Sequence, residues 1–520
     1  MNLKKKLIPV LIAPLFVGLT FSGNALANDS DELEKLRQLV QELDQKVKIL
    51  DRKGELAEEA AAEKKKVTPI VQTEDGFGFK SADGKNEIKL QGRVQADYHA
   101  FGKNDAQNAD TFDLRRAYLT LAGKVYKDYD FKVTGNFADQ VADASGGKTT
   151  KTILDEAYIG INWWKQAKFR VGQFQMPFGL ETSTSDLFND FTERSLVNAL
   201  TPFKERGGMV HGNPIDGVYY GLAASTGRGK NADNTDTNND SPEVVGRGVA
   251  NLAKLFNIDN SVVHVGGSFS HGYISNNQVT NSNTLTANSF LVGQGTASSK
   301  TEGNGLTFFT PQAITGATTS GTEIERTRLG AETAVAYGPV KFQAEYINTN
   351  YSGNALANTP VGQTGNATDF DSNIKAWYVS ANWLLTGESY ADSYLAENGT
   401  WGRIKPKNNV DFANGKIGAI VLGLRYSDYD ASDFGANTVG GVLYANANTT
   451  THTGSGVTTP TGAHAWTGGI TWILNPNTRL AVNYVDTTFT GGKVKFTDAS
   501  GNTQYTDGEK AITLRGQFDF

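Results

Sequence analysis

The chain has 520 residues, with 57 Gly, 27 Phe, 19 Tyr, 7 Trp and no Cys, and a formal net charge of −6. The lack of cysteine excludes disulfide stapling and most soft-metal sites, and the mild acidity argues against a general nucleic-acid binder. Beyond the first thirty residues no run of about 18 apolar residues occurs, so the sequence predicts no transmembrane helix after that point. Abundant glycine and aromatic residues favour a sheet protein with long polar loops.

Residues 1–27 are predicted to be a secretory signal peptide. Lys4, Lys5 and Lys6 form a basic region, Leu7 to Phe21 an apolar core, and Ala25-Leu26-Ala27 a small-x-small cleavage site. The mature chain would start at Asn28, and loss of the three lysines would change its formal charge from −6 to −9. The sequence therefore predicts an exported protein.

Residues 28–66 are predicted to form an α-helical coiled coil. Apolar residues recur at alternating spacings of three and four, a heptad seam, at Leu33, Leu36, Val40, Leu43, Val47 and Leu50. Gly54 is expected to end the regular seam and Pro69 to stop the helix. The alternative is an amphipathic helix that docks on the protein's own surface, and the seam does not settle the number of chains. Residues 67–84 are then a linker.

From residue 85 the apolar period becomes two, which is typical of β-strands. One face of the first strand is apolar and the other polar: Ile88, Leu90, Val94 and Tyr98 against Glu87, Lys89, Arg93 and Asp97. This alternation fits a soluble sandwich as well as a barrel with an apolar face toward lipid and a polar lumen. About ten alternating residues with Tyr98 and Phe101 at the far end favour a membrane-spanning strand with its aromatic girdle.

The same alternation recurs along the chain, with short and long connections taking turns. Further apolar faces are Leu119, Leu121 and Val125; Tyr129, Phe131 and Val133; Ala157, Ile159 and Ile161; Val340, Phe342, Ala344 and Tyr346; and Trp377, Val379, Ala381 and Trp383. Four long polar tracts are predicted loops: Gly227–Glu243, Asn276–Thr322, Asn348–Ile374 and Asp428–Ala463. Tight turns at one end and long loops at the other are expected of outer-membrane barrels.

The chain ends in a strand whose last residue is aromatic. Ile512, Leu514, Phe518 and Phe520 share one face. In hydrocarbon the sheet must close, because an open edge would leave backbone groups unpaired. Residues 85–520 are therefore predicted to be an all-β, antiparallel transmembrane barrel in the outer membrane of a Gram-negative bacterium, contacting lipid, with Phe520 recognised by the barrel-assembly machinery and the coiled coil in the periplasm.

Several sequence blocks resemble the phosphate-selective porin O/P family. They are Leu114–Tyr118, Tyr126–Lys132, Asp155–Ile159, Arg170–Glu181, Phe191–Arg194, Leu384–Glu388, Trp472–Asn477 and Asn483–Val485. The resemblance spans residue 85 to the terminus. It implies 16 strands, a homotrimer, and a passive pore whose basic side chains favour small anions such as phosphate.

The resemblance and the strand phase together give eight candidate pore residues. They are Arg93, Arg115, Arg116, Tyr118, Lys124, Lys132, Arg170 and Arg194. Arg115 falls in the lipid phase unless the strand begins after it or bulges there. The family folds a constriction loop inward where Leu180 to Phe203 stands, and in this chain that stretch has four acids against two bases, counting Lys204 just after it. For each arginine, a structural role in an ion pair with an acid such as Asp155, Glu156 or Glu193 explains its presence as well as anion binding does.

No enzymatic signature accompanies these patterns. The six histidines are scattered, and no glycine-rich phosphate loop or nucleophile motif occurs, so we expect no enzyme, metal or cofactor. The alternatives are a general, poorly selective porin, a barrel lipid hydrolase with a triad drawn from distant strands, and a tether. In the tether, residues 31–66 would reach roughly 54 Å toward the cell wall at 1.5 Å per residue.

Overall fold

The structure is a computed structural model and describes most of the chain. The described residues are 29–73, 75–102, 110–138, 140–142, 148–150, 153–227, 229–231, 242–274, 299–303, 305–309, 324–356, 367–436, 438–439, 442–443, 460–497 and 502–520. The predicted signal peptide lies outside these residues. The described chain forms two compact units, divided between Thr68 and Pro69.

The first unit is one helix, α1, which spans Asp29–Val67. It runs without interruption through Gly54 and ends two residues before Pro69, whose missing N–H cannot continue the helix. The seam side chains are exposed, from 51% at Val47 to 67% at Leu36. The helical part of the sequence prediction agrees with the structure, and the pairing of α1 in a coiled coil stays a prediction.

The second unit begins with an N-terminal hairpin, the strands Ile70–Gln72 and Phe77–Lys80. The predicted linker of residues 67–84 therefore contains two strands and is not irregular throughout. The second strand pairs antiparallel with the next one in the chain, with Phe77 opposite Leu90. The division of the chain into residues 28–66, 67–84 and 85–520 otherwise stays a prediction.

Sixteen long strands follow. They are β1 (Glu87–Phe101), β2 (Thr111–Val125), β3 (Tyr129–Asn136), β4 (Ile153–Ile161), β5 (Lys168–Gln175), β6 (Lys204–Gly212), β7 (Val218–Ser225), β8 (Glu243–Asn251), β9 (Ser261–Ile274), β10 (Ile324–Tyr337), β11 (Val340–Leu356), β12 (Ala367–Leu384), β13 (Ala419–Asp430), β14 (Gly462–Asn475), β15 (Thr478–Thr490) and β16 (Gly508–Asp519). Each pairs antiparallel with the next, and β16 pairs with β1. The sheet is closed, which confirms the predicted 16-stranded antiparallel barrel.

Short elements occupy the connections. The short helices are Leu180–Ser183, Leu196–Leu200, Leu252–Leu255, Ala391–Ser393, Phe412–Asn414 and Ser432–Ala436. In the part of the chain that the structure describes, short hairpins pair Gln140–Ala142 with Lys148–Thr150, Ser299–Lys300 with Thr307–Phe309, Tyr394–Leu395 with Thr400–Trp401, Thr438–Val439 with Val442–Leu443, and Val494–Thr497 with Thr503–Thr506. Among the described residues, no helix combines the length and apolarity that a membrane crossing needs.

Apolar side chains of the strands face outward and polar side chains face inward, which is the reverse of a soluble protein. On β1, Val94 is exposed whereas Gln95 and Asp97 are buried, and on β16 Leu514 is exposed whereas Arg515 is buried. Large apolar side chains therefore cover the outer wall, and charged side chains fill the lumen. This arrangement is the one expected when lipid surrounds a barrel.

Barrel closure depends on a glycine. The backbone of Phe520 donates to and accepts from the backbone of Gly92, at 3.0 and 3.2 Å. A Cβ added to Gly92 would lie 2.4 Å from the ring of Phe520. A larger residue would thus displace the terminal aromatic ring from the closing pair.

Two of the predicted connections were wrong in extent. Most of the predicted loop Asn348–Ile374 is strand, because β11 runs to Leu356 and β12 starts at Ala367. Conversely, residues 385–418 form a long connection between β12 and β13, at the barrel end where we expected only tight turns. The strand residues within Asn348–Ile374 were mistaken for a loop because Asn, Thr and Gly, which are frequent in loops, also occur on strands that face a polar lumen.

Candidate functional site

The segment between β5 and β6, Leu180–Phe203, is the constriction loop, and it folds into the barrel. Its start is held by a carboxylate on the wall. The backbone N–H groups of Leu180 and Glu181 donate to the two oxygens of Glu345, on β11, at 2.8 and 2.6 Å. A buried carboxylate stabilises the N-terminal turn of the short helix that begins at Leu180. The loop is therefore anchored to β11, a wall strand that is not adjacent to the two strands that the loop connects.

All four acids of the constriction loop pair with basic side chains of the wall. The pairs are Glu181 with Arg425 (3.1 Å), Asp186 with Arg93 and with Arg116 (2.6 Å to Arg116), Asp190 with Lys341 (2.6 Å), and Glu193 with Arg115 and Arg515 (2.8 Å each). The excess of acids that the loop sequence carries is thus offset by six wall cations. Loop composition alone gave the wrong impression of the local charge.

Arg115 and Arg116 both reach this loop because β2 bulges between them. Gln95 of β1 is opposite Arg116, and the next residue of β1, Ala96, is opposite Leu114, so Arg115 has no partner in the ladder. A bulge of this kind turns two successive side chains toward one face. The structure therefore has the bulge that the sequence required if Arg115 was to face the lumen.

A second bulge does the same for two acids. Thr134 of β3 is opposite Glu156 and Gly135 is opposite Leu154, so Asp155 is unpaired in the ladder. Both carboxylates are buried and meet basic side chains. Lys204 contacts Asp155 and lies 3.9 Å from Glu156, Lys132 contacts Glu156, and Lys230 lies 3.5 Å from Asp155.

In three of these ion pairs the basic partner is the more accessible one. The side chain of Lys132 is 32% exposed and that of Glu156 only 11%; for Lys230 and Asp155 the values are 28% and 1%, and for Arg115 and Glu193 28% and 13%. At these three pairs water therefore meets ammonium and guanidinium groups in preference to carboxylates. Such groups offer donors and positive charge to an oxyanion. At two other pairs the carboxylate is the more exposed partner: Glu181 at 11% against Arg425 at 1%, and Asp190 at 14% against Lys341 at 2%.

A cavity of about 370 Å³ lies beside the constriction loop and is lined by charged side chains. A larger cavity, of about 640 Å³, lies elsewhere on the barrel wall. The polar lining of the smaller cavity includes Arg93, Tyr118, Thr120, Lys132, Ser185 and Arg403, with Asp75 and Asp519. The guanidinium of Arg93 stacks on the ring of Tyr118, 4.2 Å from its centre. Four of the lining residues are thus bases or hydroxyls contributed by neighbouring strands β1, β2 and β3.

The remaining candidates have different surroundings. Arg170 stacks on the ring of Tyr158 at 4.1 Å. Arg194 is part of the constriction loop and donates to the backbone carbonyls of Glu181 and Thr184, at 3.1 and 2.9 Å, so it braces the loop. Lys124 is exposed at the end of β2, two residues before Tyr126, where the turn starts. The structure brings together Arg93, Arg115, Arg116, Tyr118 and Lys132, and Lys124 lies apart from them.

The sequence did not reveal several residues of the site. They are Lys341, Arg403, Arg425, Arg479 and Arg515 on the wall or on residues 385–418, and Glu302 in a low-complexity tract. Glu302 accepts from Arg425 at 2.6 Å and so brings the segment around it into the lumen. Strand phase could have found Arg425 and Arg515; no sequence signal marked Glu302.

The long connection 385–418 also enters the lumen and meets the constriction loop. The indole N–H of Trp401 donates to Gln343 at 2.7 Å, and its backbone N–H to Thr184 of the loop at 3.3 Å. The ammonium of Lys341 lies 4.5 Å from the centre of the Trp401 ring while it pairs with Asp190. The lumen is therefore narrowed by segments that enter from both ends.

Two of the loop carboxylates, Asp186 and Glu193, are held in their ionised form. Burial raises the pKa of Asp186, but the guanidinium groups of Arg93 and Arg116 outweigh it and hold that pKa well below its usual range. Burial likewise opposes ionisation of Glu193, and Arg115 and Arg515 hold its pKa well below the usual range. The charge pairs of Asp186 and Glu193 therefore anchor the loop in weak acid as well.

Among the described residues, no group of three or more His, Asp or Glu side chains could hold a metal ion. The site consists of paired charges, hydroxyls and aromatic rings inside the barrel, beside a cavity of about 370 Å³. A closed antiparallel barrel with an apolar outer wall, a charged lumen and a loop folded across that lumen has the architecture of an outer-membrane porin. Residues 88–520 match the family model described as phosphate-selective porin O and P, and the chain belongs to that family. The predicted family and channel class are confirmed.

Porin O of Pseudomonas aeruginosa is 24% identical over 453 residues, which cover 85% of this chain and 91% of that relative. Among solved structures, an anion-selective porin from Comamonas acidovorans is 11% identical, with a TM-score of 0.45, over 84% of this chain and 100% of the other. The trimer form of OmpT from Vibrio cholerae is 11% identical, with a TM-score of 0.44, over 84% and 99%. These structural likenesses are distant.

Proposed function

We propose that this porin is a passive diffusion channel that favours small inorganic anions, phosphate among them. The observation that carries the proposal is the unequal exposure of the ion pairs beside the constriction loop, where Lys132, Lys230 and Arg115 are more accessible than their carboxylate partners. A permeating ion would meet Lys132, Arg93 and the hydroxyl of Tyr118 around one cavity. Arg116 and Arg170 would act as further basic wall residues.

The preference should be moderate. Each of these bases already has a carboxylate or a ring as partner, so a passing anion competes with a permanent one. Conduction requires binding that is strong enough to admit the ion and weak enough to release it. Competition between a passing anion and the carboxylate partners of these bases therefore favours passage of the anion over tight binding.

The test is the zero-current potential of the purified protein in a planar bilayer under a KCl gradient. We expect a chloride-preferring potential in the wild type that moves toward zero in Lys132→Gln. Lys124→Gln is the matched control, because it removes the same charge from the polar face at the strand end, and it should leave the potential nearly unchanged. Arg116→Ala should also reduce the preference, with the added effect of unpairing Asp186.

A second candidate, a general and poorly selective porin, is favoured by the pairing itself. If each cation is cancelled by its carboxylate, the lumen presents little net charge to an ion. A wild-type potential near zero, or one that prefers potassium, would support this candidate and contradict the anion preference. Inhibition of chloride conductance by inorganic phosphate would then be absent.

We further propose the assembly around the channel: cleavage after Ala27, a homotrimer of barrels surrounded by outer-membrane lipid, α1 in the periplasm, and no enzymatic role. The barrel-assembly machinery would recognise the terminal strand through Phe520, whose backbone pairs with Gly92. Deletion of Phe520 should lower the amount of heat-modifiable barrel in outer-membrane fractions. An unchanged amount would contradict that role.

A further inference from the structure

We propose that Phe191 of the constriction loop and a glycine notch in the wall, formed by Gly423 of β13 and Gly469 of β14, fix how far the loop extends into the lumen. The notch would thereby set the width of the ion path. Phe191 is a positioning residue, because it acts through the loop and does not itself have to contact the ion. The inference concerns the conductance of the channel and does not depend on the proposed anion preference.

The notch is a gap in the inner face of the wall. Gly423 and Gly469 are directly opposite each other in the β13–β14 ladder. The same row continues to Asn382 of β12, opposite Gly423, and to Asn483 of β15, opposite Gly469. Residues opposite one another share a face of the sheet, and Gly423 is two residues before Arg425, which is buried in the lumen. Two positions without a side chain thus lie between two asparagines on the lumen side.

The ring of Phe191 fills this notch. A Cβ added to Gly423 would lie 3.0 Å from two carbon atoms of the ring, and a Cβ added to Gly469 would lie 3.3 Å from a third. Carbon atoms attract each other best at about 3.5–4.0 Å, so either methyl group would push the ring away. Glycine weakens a strand and often marks a close approach of another group to its backbone. The ring is only 6% exposed, and the guanidinium of Arg425 lies 4.6 Å from its centre.

This contact between ring and backbone holds the loop more closely than the ion pairs do. The long side chains of arginine and lysine can follow a shift of their partner by changing rotamer. An aromatic ring is rigid, and the backbone of a closed barrel cannot retreat, so a displacement at a close-packed contact is transmitted. The position of the loop therefore follows the distance between the ring and the notch.

The direction of the effect follows from what the loop faces elsewhere. Ser185, Leu187 and Phe188 of the loop line the cavity of about 370 Å³, together with Arg93 and Lys132 of β1 and β3. The notch is on β13 and β14, a different part of the wall. A loop that is pushed off the notch moves into the lumen and narrows the space beside it. Loss of the ring lets the loop approach the notch and widens that space.

The approach to the loop is seated in the same way. A Cβ added to Gly221 of β7 would lie 2.8 Å from the ring of Pro177, and a Cβ added to Gly330 of β10 would lie 3.3 Å from the ring of Phe178. Glycines on the inner face of the wall therefore receive rigid side chains of this segment at two separate places.

Neighbouring glycines of β14 provide a matched test. Gly468 faces outward, and a Cβ added there would meet nothing within 4 Å, whereas Gly469 lies under the ring. We expect the single-channel conductance of the purified protein in KCl to fall in Gly469→Ala and to fall further in Gly469→Val. Gly468→Ala and Gly468→Val should conduct like the wild type. Heat-modifiable migration on a gel shows that each variant is folded. Equal conductance in the two series would overturn the proposal.

Substitution of the ring tests the same contact from the loop side. Phe191→Leu in the Gly469→Ala background should return the conductance toward the wild-type value, because a smaller side chain makes room for the added methyl group. A general loss of stability would not be reversed by a second substitution. Phe191→Ala alone should raise the conductance above that of the wild type. No rise in Phe191→Ala would contradict the role of the ring, even where the Gly469 variants fail to insert.

The zero-current potential under a KCl gradient separates this inference from the proposed function. None of these substitutions changes a charge, so the sign of the potential should stay the same. A lower conductance in Gly469→Ala with the wild-type sign would support the notch. A potential near zero in every protein would contradict the anion preference, and the conductance series would still decide the role of the notch.

Discussion

Two groups of ion pairs in the lumen consist of the same kinds of charged side chain but differ in their exposure to water. In the first group, on β3, β4 and β6, the side chain of Lys132 is 32% exposed and those of Lys204 and Glu156 are 11% exposed, while their partner Asp155 is buried at 1%. On β8, β9 and β10, Arg247, Glu332 and His264 form a cluster in which the side chains of Arg247 and Glu332 are 1% and 2% exposed. The first group can meet a permeating ion and the second cannot.

The buried group has an additional structural partner. Arg247 donates to Glu332 at 2.7 Å and to the backbone carbonyls of Asn398 and Gly399 at 2.9 and 2.8 Å. These carbonyls belong to the connection 385–418, which enters the lumen. The cluster thus holds residues 385–418 in place. The exposure of an ion pair therefore distinguishes pairs that can contact a permeating ion from pairs that stabilise the fold.

The largest expected effect comes from breaking the buried group. Glu332→Gln removes the charge partner of a fully buried Arg247, and loss of one member of a buried pair costs roughly 3–5 kcal/mol of unfolding free energy. We expect a lower urea midpoint in lipid vesicles and an unchanged zero-current potential. The control is Asp216→Asn, which breaks the exposed pair with Lys165 at 2.6 Å and should change stability little. A shift in selectivity with no loss of stability would reverse the two assignments.

A smaller effect, on selectivity, is expected at the water-accessible side of the constriction loop. Asp186→Asn leaves Arg93 and Arg116 without their shared carboxylate, so the lumen gains positive charge beside the cavity. We expect a stronger preference for chloride in the bilayer and more flickering of the current, because the loop loses one anchor. Asn382→Asp, next to Asp190 at 3.3 Å, adds a charge of the opposite sign and should shift the potential the other way. Equal potentials in all three proteins would show that this region does not face the ion path.

The sequence predicted the barrel well and the site in part, for a physical reason. Alternation with period two reports which face meets lipid, so the outward positions of Val94 and Leu514 could be read directly. The inward face follows the same alternation, but its polar residues do not show which of them pair with one another. The bulge at Arg115 depends on pairing with β1, and the role of Glu302 depends on contact with Arg425, more than a hundred residues away. Such contacts are set by barrel closure and are invisible in a local pattern.

The smallest effect is expected from pH. Asp186 and Glu193 have pKa values held well below 3.8 and 4.5, their ordinary values, by paired arginines. A carboxyl group with a depressed folded-state pKa stabilises the fold above its ordinary pKa and loses that contribution as pH falls through the folded value. Between pH 7 and pH 5 the charge of both groups is therefore constant, and we expect a nearly constant zero-current potential. A marked rise in anion preference at pH 5 that is absent in Asp186→Asn would show that Asp186 takes up a proton between pH 7 and pH 5, above its ordinary pKa, and is therefore not held in its ionised form by Arg93 and Arg116.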